Sequence, residues 1–293
     1  MMTDSGEAPV ILFLHIPKTG GTSLDTGFLQ SVIPLDERMC ETDLFVDRNL
    51  TQRHLFHEME LLSKGLKVPY SAVFSHFIQQ YLINPYRRYY AGHICYGAHV
   101  AIPRPCLYLT LLRDPVDRVV SQYRLYRSLG MFTGTLREYI RSGRLEVDNY
   151  QVRCLSLQGW SRDVVTPDMF DEAKEMLLTR TLFSVTERVD ILLKKVCQRF
   201  GWAMPEETPY LNKTQAGELI HCGGGNRFID TAELIRPDDL RELADMNQLD
   251  RELYAVAKAN LERGLRPEPS ANGSPEPGPV DPESADLAGA LQG

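Results

Sequence analysis

The chain has 293 residues, 43% of them hydrophobic, which suits one large α/β domain with embellishments rather than a disordered or fibrous protein. Its formal net charge is −7, but the excess of acids lies at the ends: Asp4 and Glu7 at the start, and Glu268, Glu276, Asp281, Glu283 and Asp286 against Arg266 after residue 265. What lies between is nearly neutral, which argues against nucleic-acid binding through bulk charge, so any basic site must be local.

The first element is an apolar run, Val10 to Leu14, interrupted by His15 and closed by Ile16 and Pro17. Such a run predicts a strand buried on both faces, the kind found in parallel sheets. Lys18, Thr19, Gly20, Gly21, Thr22 and Ser23 follow, and Leu24 and Phe28 then open a helical pattern predicted from about Thr22 to Val32, ending at Pro34. Strand, glycine-rich loop and helix N-terminus together make an anion site, because free backbone N–H groups converge there and the dipole favours negative charge. Lys18 adds a point charge, and the hydroxyls add donors. The lysine precedes the glycines, so this is not the G-x-x-x-x-G-K-[ST] loop of ATP- and GTP-binding proteins, and that pattern occurs nowhere in the chain.

Residues 35–50 read as polar and irregular. Gln52 to Lys64 predicts a helix ending at Gly65, carrying His54, His57 and Glu58 in an order unlike the H-E-x-x-H of zinc proteases. Ser71 to Phe77 and Tyr89 to Ile94 are the next candidate strands, the latter holding Gly92-His93. Leu107 to Leu112 is a strongly apolar strand ending at Arg113-Asp114-Pro115, where Asp114 can cap a helix with Pro115 in its first turn. Val116, Val119, Val120 and Tyr123 give that helix one apolar face. Arg113, at a strand end, can grip a phosphate with its fork, and Ser121 lies two turns into the helix, away from the apolar stripe.

Further helical segments are expected at Leu136–Ile140, Val147–Leu157 and Pro167–Leu178, a late strand at Leu182 to Thr186, and an amphipathic helix from Glu187 to Phe200. Leu211-Asn212-Lys213-Thr214 opens a loop in which the Gly223–Gly225 run makes a turn, and Pro237 to Arg263 reads as one long terminal helix. Alternating strands and helices imply a mainly parallel sheet with helices on both faces, whose ligands bind beyond the carboxyl ends of the strands. The expected units are a domain over 9–265 and a disordered Pro/Gly-rich acidic tail over 266–293. The six cysteines form no C-x-x-C pair and read as mostly reduced thiols of a cytoplasmic protein; no signal peptide and no run long enough for a membrane span are evident.

Pro17-Lys18-Thr19-Gly20-Gly21-Thr22-Ser23 resembles the 5′-phosphosulfate loop of sulfotransferases that use 3′-phosphoadenosine 5′-phosphosulfate (PAPS), closest to the heparan sulfate 2-O and 6-O type. Arg113-Asp114-Pro115 with Ser121 eight residues later resembles their 3′-phosphate motif, and Gly92-His93 resembles the strand-end pair whose histidine is their proposed general base. Residues 148–153, the segment 183–190 with Phe200-Gly201-Trp202, and residues 211–214 resemble the family as well, so the likeness runs from 10 to about 215. It implies a P-loop-like fold, a PAPS donor held by Lys18, Thr19, Gly20, Gly21, Thr22, Ser23, Arg113, Ser121 and Lys213, a catalytic Lys18, His93 as base, a hydroxyl acceptor on a glycan, and no metal. Histidine suits that role because imidazole accepts a proton near neutral pH; His76 and His99 are its rivals. The resembled animal enzymes are Golgi membrane proteins, whereas this chain reads as a soluble bacterial-type relative. A nucleotide-dependent kinase on a similar fold is the alternative enzyme class, and a catalytically inactive module binding 3′-phosphoadenylates is the alternative binding class.

Overall fold

A computed structural model describes residues 8–40, 87–94, 96–157, 164–208, 219–222, 225–228 and 235–265. The expected helix at 52–64, the expected strand at 71–77, His54, His57, Glu58, His76, Lys213 and the tail lie outside the described residues.

Five strands form one parallel sheet in the order β2-β3-β1-β4-β5. They are β1 (Val10–Leu14), β2 (Arg38–Cys40), β3 (Tyr89–Gly92), β4 (Cys106–Leu112) and β5 (Thr181–Val185). β1 is central, pairing in parallel with β3 on one side and β4 on the other, and all five of its residues are buried. That explains why it carries no polar alternation: neither face meets water, and each fully buried aliphatic side chain contributes roughly 1.5–3 kcal/mol.

Parity divides the core. Val10, Leu12 and Leu14, with Tyr90, Tyr108 and Leu112, face one hydrophobic cluster completed by the helices α4 (Tyr150–Leu155), α5 (Pro167–Arg180) and α8 (Gln248–Leu265). Ile11 and Phe13, with Tyr89, Ala91, Leu109 and Leu111, face a second cluster completed by α1 and α6 (Val189–Phe200). Here α1 denotes the helix that begins at Gly21–Leu24, widens into a π-helical stretch at Asp25–Leu29 and closes at Gln30–Val32. Helices therefore cover both faces, as expected. A third cluster joins α2 (Pro115–Ser128), α3 (Leu136–Ile140) and α7 (Pro237–Met246).

Three expectations change. Residues 38–40, read as irregular, form an edge strand paired with β3, too short to show a pattern. Residues 219–222 and 225–228, read as loop, form an antiparallel pair, β6 (Leu219–Cys222) and β7 (Gly225–Phe228). The long terminal helix is two helices, broken at Asn247. That residue is fully buried, and its amide donates to the carbonyls of Val147 at 2.8 Å and Leu243 at 2.9 Å while accepting from the Asn149 N–H at 3.0 Å. Bonds from a side chain to the backbone compete with helix continuation.

Candidate functional site

The carboxyl ends of β1, β3, β4 and β5 make one rim. The parallel register places residues just beyond those ends side by side, since Leu14 pairs with Gly92 and with Thr110, and Leu112 pairs with Val185. The chain builds outward from β1 in both directions, so the crevice beyond β1 lies at the switch in strand order where ligands bind in open α/β sheets.

The loop after β1 is shaped by two glycines with different tasks. Gly20 has φ +86 and caps α1 in the left-handed region, which a side chain rarely adopts. Gly21 lies so close to the His15 ring that a Cβ there would stand 2.2 Å from Cδ2 and 2.7 Å from Nε2. Lys18 itself has φ +69, an unusual backbone for a lysine. Thr19 is buried, and its hydroxyl proton goes to the Ile16 carbonyl at 2.8 Å, so that side chain braces the loop. Thr22 is exposed and Ser23 buried at the start of α1.

Arg113 joins this loop from β4: its Nη1 donates to the Lys18 carbonyl at 3.0 Å. Burial first, and then the Arg113 charge, hold the Lys18 ammonium below the ordinary lysine range. Among the described residues, no carboxylate forms an ion pair with either cation. Two cations with no ion-paired carboxylate among the described residues, beside a glycine turn at the start of a helix, make a strong local demand for an anion.

Two residues without a role in the sequence reading secure this arrangement. Gln151 brackets the main chain of Arg113, accepting from its N–H at 2.9 Å and donating to its carbonyl at 2.8 Å. The Thr186 hydroxyl, just past β5, lies 2.8 Å from the Thr19 carbonyl and 3.1 Å from the Leu112 carbonyl. Both residues fall in segments that resemble the family, but nothing local showed that they meet residues far away in the chain. Asp114 caps α2 as expected, accepting from the N–H groups of Val116 and Asp117. Ser121 sits half-buried on α2.

His93 follows β3 on the same rim, its ring stacked on His15 at 5.0 Å between centroids and 17° between planes. His15 in turn stacks on Phe13 at 5.7 Å. Desolvation, then the neighbouring His93 and Lys18, depress the His15 imidazole to about 3. The rival His99 is engaged elsewhere: its Nδ1 is 2.8 Å from the Tyr108 hydroxyl, and its ring stacks on Tyr96. Tyr108 lies five residues before Arg113 along β4, about 17 Å of strand from the rim. The structure thus gathers Lys18, Thr19, Gly20, Gly21, Thr22, Ser23, His93 and Arg113 at one end of the sheet. Among the described residues, no His, Cys, Asp and Glu cluster has the makings of a metal site, and no helix is long and apolar enough to cross a membrane.

No family model matches the chain. It is similar to heparan-sulfate 6-O-sulfotransferase 1 of Cricetulus griseus, with 27% identity covering 85% of this chain and 66% of that protein. The Mus musculus and Homo sapiens proteins of the same name are 27% and 26% identical, each covering 85% of this chain and 64% of their own length. The chain thus spans a little under two thirds of the length of these relatives. The likeness is distant, and it is to the carbohydrate branch of the sulfotransferases.

Proposed function

We propose that this chain transfers the sulfuryl group of PAPS to a hydroxyl of a carbohydrate. The observation that carries the reading is the contact between Arg113 and the Lys18 carbonyl, which brings the loop beyond β1 and the R-D-P segment beyond β4 into one cationic site. The distant likeness to heparan-sulfate 6-O-sulfotransferase supports a glycan acceptor.

In this reading the N–H groups of Gly20, Gly21 and Thr22, with the Thr22 and Ser23 hydroxyls, hold the donor's 5′-phosphate, while Arg113 and Ser121 hold its 3′-phosphate. Lys213, outside the described residues, would add to the nucleotide site. Transfer is an in-line displacement, so the protein contributes positioning and charge stabilisation rather than covalent chemistry. The acceptor oxygen forms the new S–O bond as its proton passes to His93. The S–O bond to the 5′-phosphate breaks, and adenosine 3′,5′-bisphosphate leaves with charge that Lys18 neutralises. A Lys18 held below its ordinary range is an ammonium whose charge is poorly compensated until the anion arrives. No step calls for a metal. We place the catalytic unit at residues 9–265 of a soluble, cytoplasmic, bacterial-type enzyme.

Calorimetry with adenosine 3′,5′-bisphosphate and with Mg-ATP tests this. The bisphosphate should bind at least tenfold tighter, about 1.4 kcal/mol or more. Equal affinities would replace the sulfotransferase reading with a kinase. Tight bisphosphate binding without sulfuryl transfer to any glycan would leave an inactive binding module.

A further inference from the structure

His15 touches both the loop after β1, at Gly21, and the strand-end His93, and the functional reading above leaves it without a task. Parity explains its place. Ile11 and Phe13 face the cluster beneath α1, as do Tyr89 and Ala91 of β3. Two residues further along each strand, His15 and His93 emerge on that same face, and the pairing of Leu14 with Gly92 sets them side by side. The His15 main chain is fixed by a 2.9 Å bond from its N–H to the Gly92 carbonyl. Its ring lies between those of Phe13, fully buried, and His93. Gly21, where α1 begins, closes over its edge so tightly that no Cβ fits.

We propose that His15 is a positioning residue that couples the phosphate loop to the base. One imidazole, backed by an immobile Phe13, carries Gly21 on its edge and the His93 ring on its face. An anion that seats the loop therefore also sets the plane of His93. The inference rests on reading His93 as the base, but the contact it describes exists without any ligand. The depressed basicity of His15 fits the task, because a neutral ring does not repel the charge that His93 acquires on accepting a proton.

The test uses the full chain as wild type, Gly21→Ala, His15→Ala and the double variant. It combines histidine NMR, with the His93 signal identified by its loss in His93→Ala, and calorimetry with adenosine 3′,5′-bisphosphate. Gly21→Ala should push its new methyl into the His15 ring, displace the His93 signal and weaken the bisphosphate at least tenfold. In the double variant the His93 signal should match that of His15→Ala alone, and affinity should recover at least threefold over Gly21→Ala, a coupling of the kind that double-mutant cycles isolate. A His93 signal that Gly21→Ala leaves in place, or moves equally with and without the His15 ring, overturns the coupling. Wild-type protein that fails to bind the bisphosphate overturns the donor reading instead, while the His93 signal still decides the coupling. Should His15→Ala be poorly folded by circular dichroism, His15→Asn removes the ring with a smaller loss of polarity and gives the same comparison.

Discussion

Two polar regions of this molecule use the same chemistry to opposite ends. At the joint between α4 and the terminal helices, polar groups answer one another. The Asn149 N–H donates to Asn247, and its side chain accepts from the Asp250 N–H at 2.9 Å. The Asp250 carboxylate takes the N–H groups of Gln151 and Val152 at 3.0 and 2.7 Å. Burial pushes that carboxyl up, and the nearby Arg118 charge and the amide donors pull against it. At the rim, Lys18 and Arg113 face each other, Lys18 and Gly20 have positive φ, and two imidazoles are stacked. At the joint Asn149, Asn247 and Asp250 answer one another and stabilise the fold, whereas at the rim no carboxylate among the described residues is ion-paired with Lys18 or Arg113. Gln151 belongs to both, its main chain held by Asp250 and its side chain holding Arg113.

The comparison can be broken from the rim first. His93→Ala should lower turnover by about 10² to 10⁴, the usual worth of a general base, and leave bisphosphate affinity intact, because in this reading it touches the acceptor. A variant retaining over a tenth of wild-type turnover removes His93 from the chemistry. Next in size, Arg113→Ala should weaken the bisphosphate by about 2–4 kcal/mol while hardly changing plain 5′-AMP, which lacks the 3′ group. Asn247→Ala should do the reverse. It leaves the Asn149 N–H and the Val147 carbonyl unpaired, so urea unfolding should show a loss of about 2–3 kcal/mol, with nucleotide discrimination unchanged in the folded protein. If Arg113→Ala weakens both nucleotides alike, the cation is structural and the two regions are of one kind.

The last effect concerns pH. In the unfolded chain His15 binds a proton as pH falls below about 6.5, but in the folded chain it stays neutral until about 3. Between those values the unfolded state holds the extra proton, so acid favours unfolding, by about 1.4 kcal/mol per pH unit from this group. Above pH 6.5 the contribution vanishes. His15→Phe should flatten that part of the stability profile, and an unchanged slope in urea titrations would show that the ring is solvated.

The residues proposed for the candidate site were legible one by one, because each motif is local. A buried run before a glycine turn, a strand ending in Arg113-Asp114-Pro115 and a Gly92-His93 strand end are all set by neighbours in sequence. The core strands β1, β3, β4 and β5 were legible for the same reason: β1 and β3 are buried throughout, and β4 and β5 over their last five and three residues, which favours largely apolar runs. Asn247 was not: its helix-forming neighbours continue the pattern on both sides, and only partners about a hundred residues away break it.

The sequence by itself thus determined the core strands β1, β3, β4 and β5, the loop composition and the identity of the candidate cations, but not the short strands β2, β6 and β7. Only the tertiary structure decided their registry. Leu14 beside Gly92 sets His15 against His93, and β4 beside β1 brings Arg113 onto the Lys18 carbonyl. It also gave tasks to Gly21, Gln151 and Thr186, whose partners lie across the sheet or across the chain. The physical reason is range: backbone conformation and burial pattern are encoded within a few residues, while stacking, close approach and bridging bonds exist only once distant strands have paired.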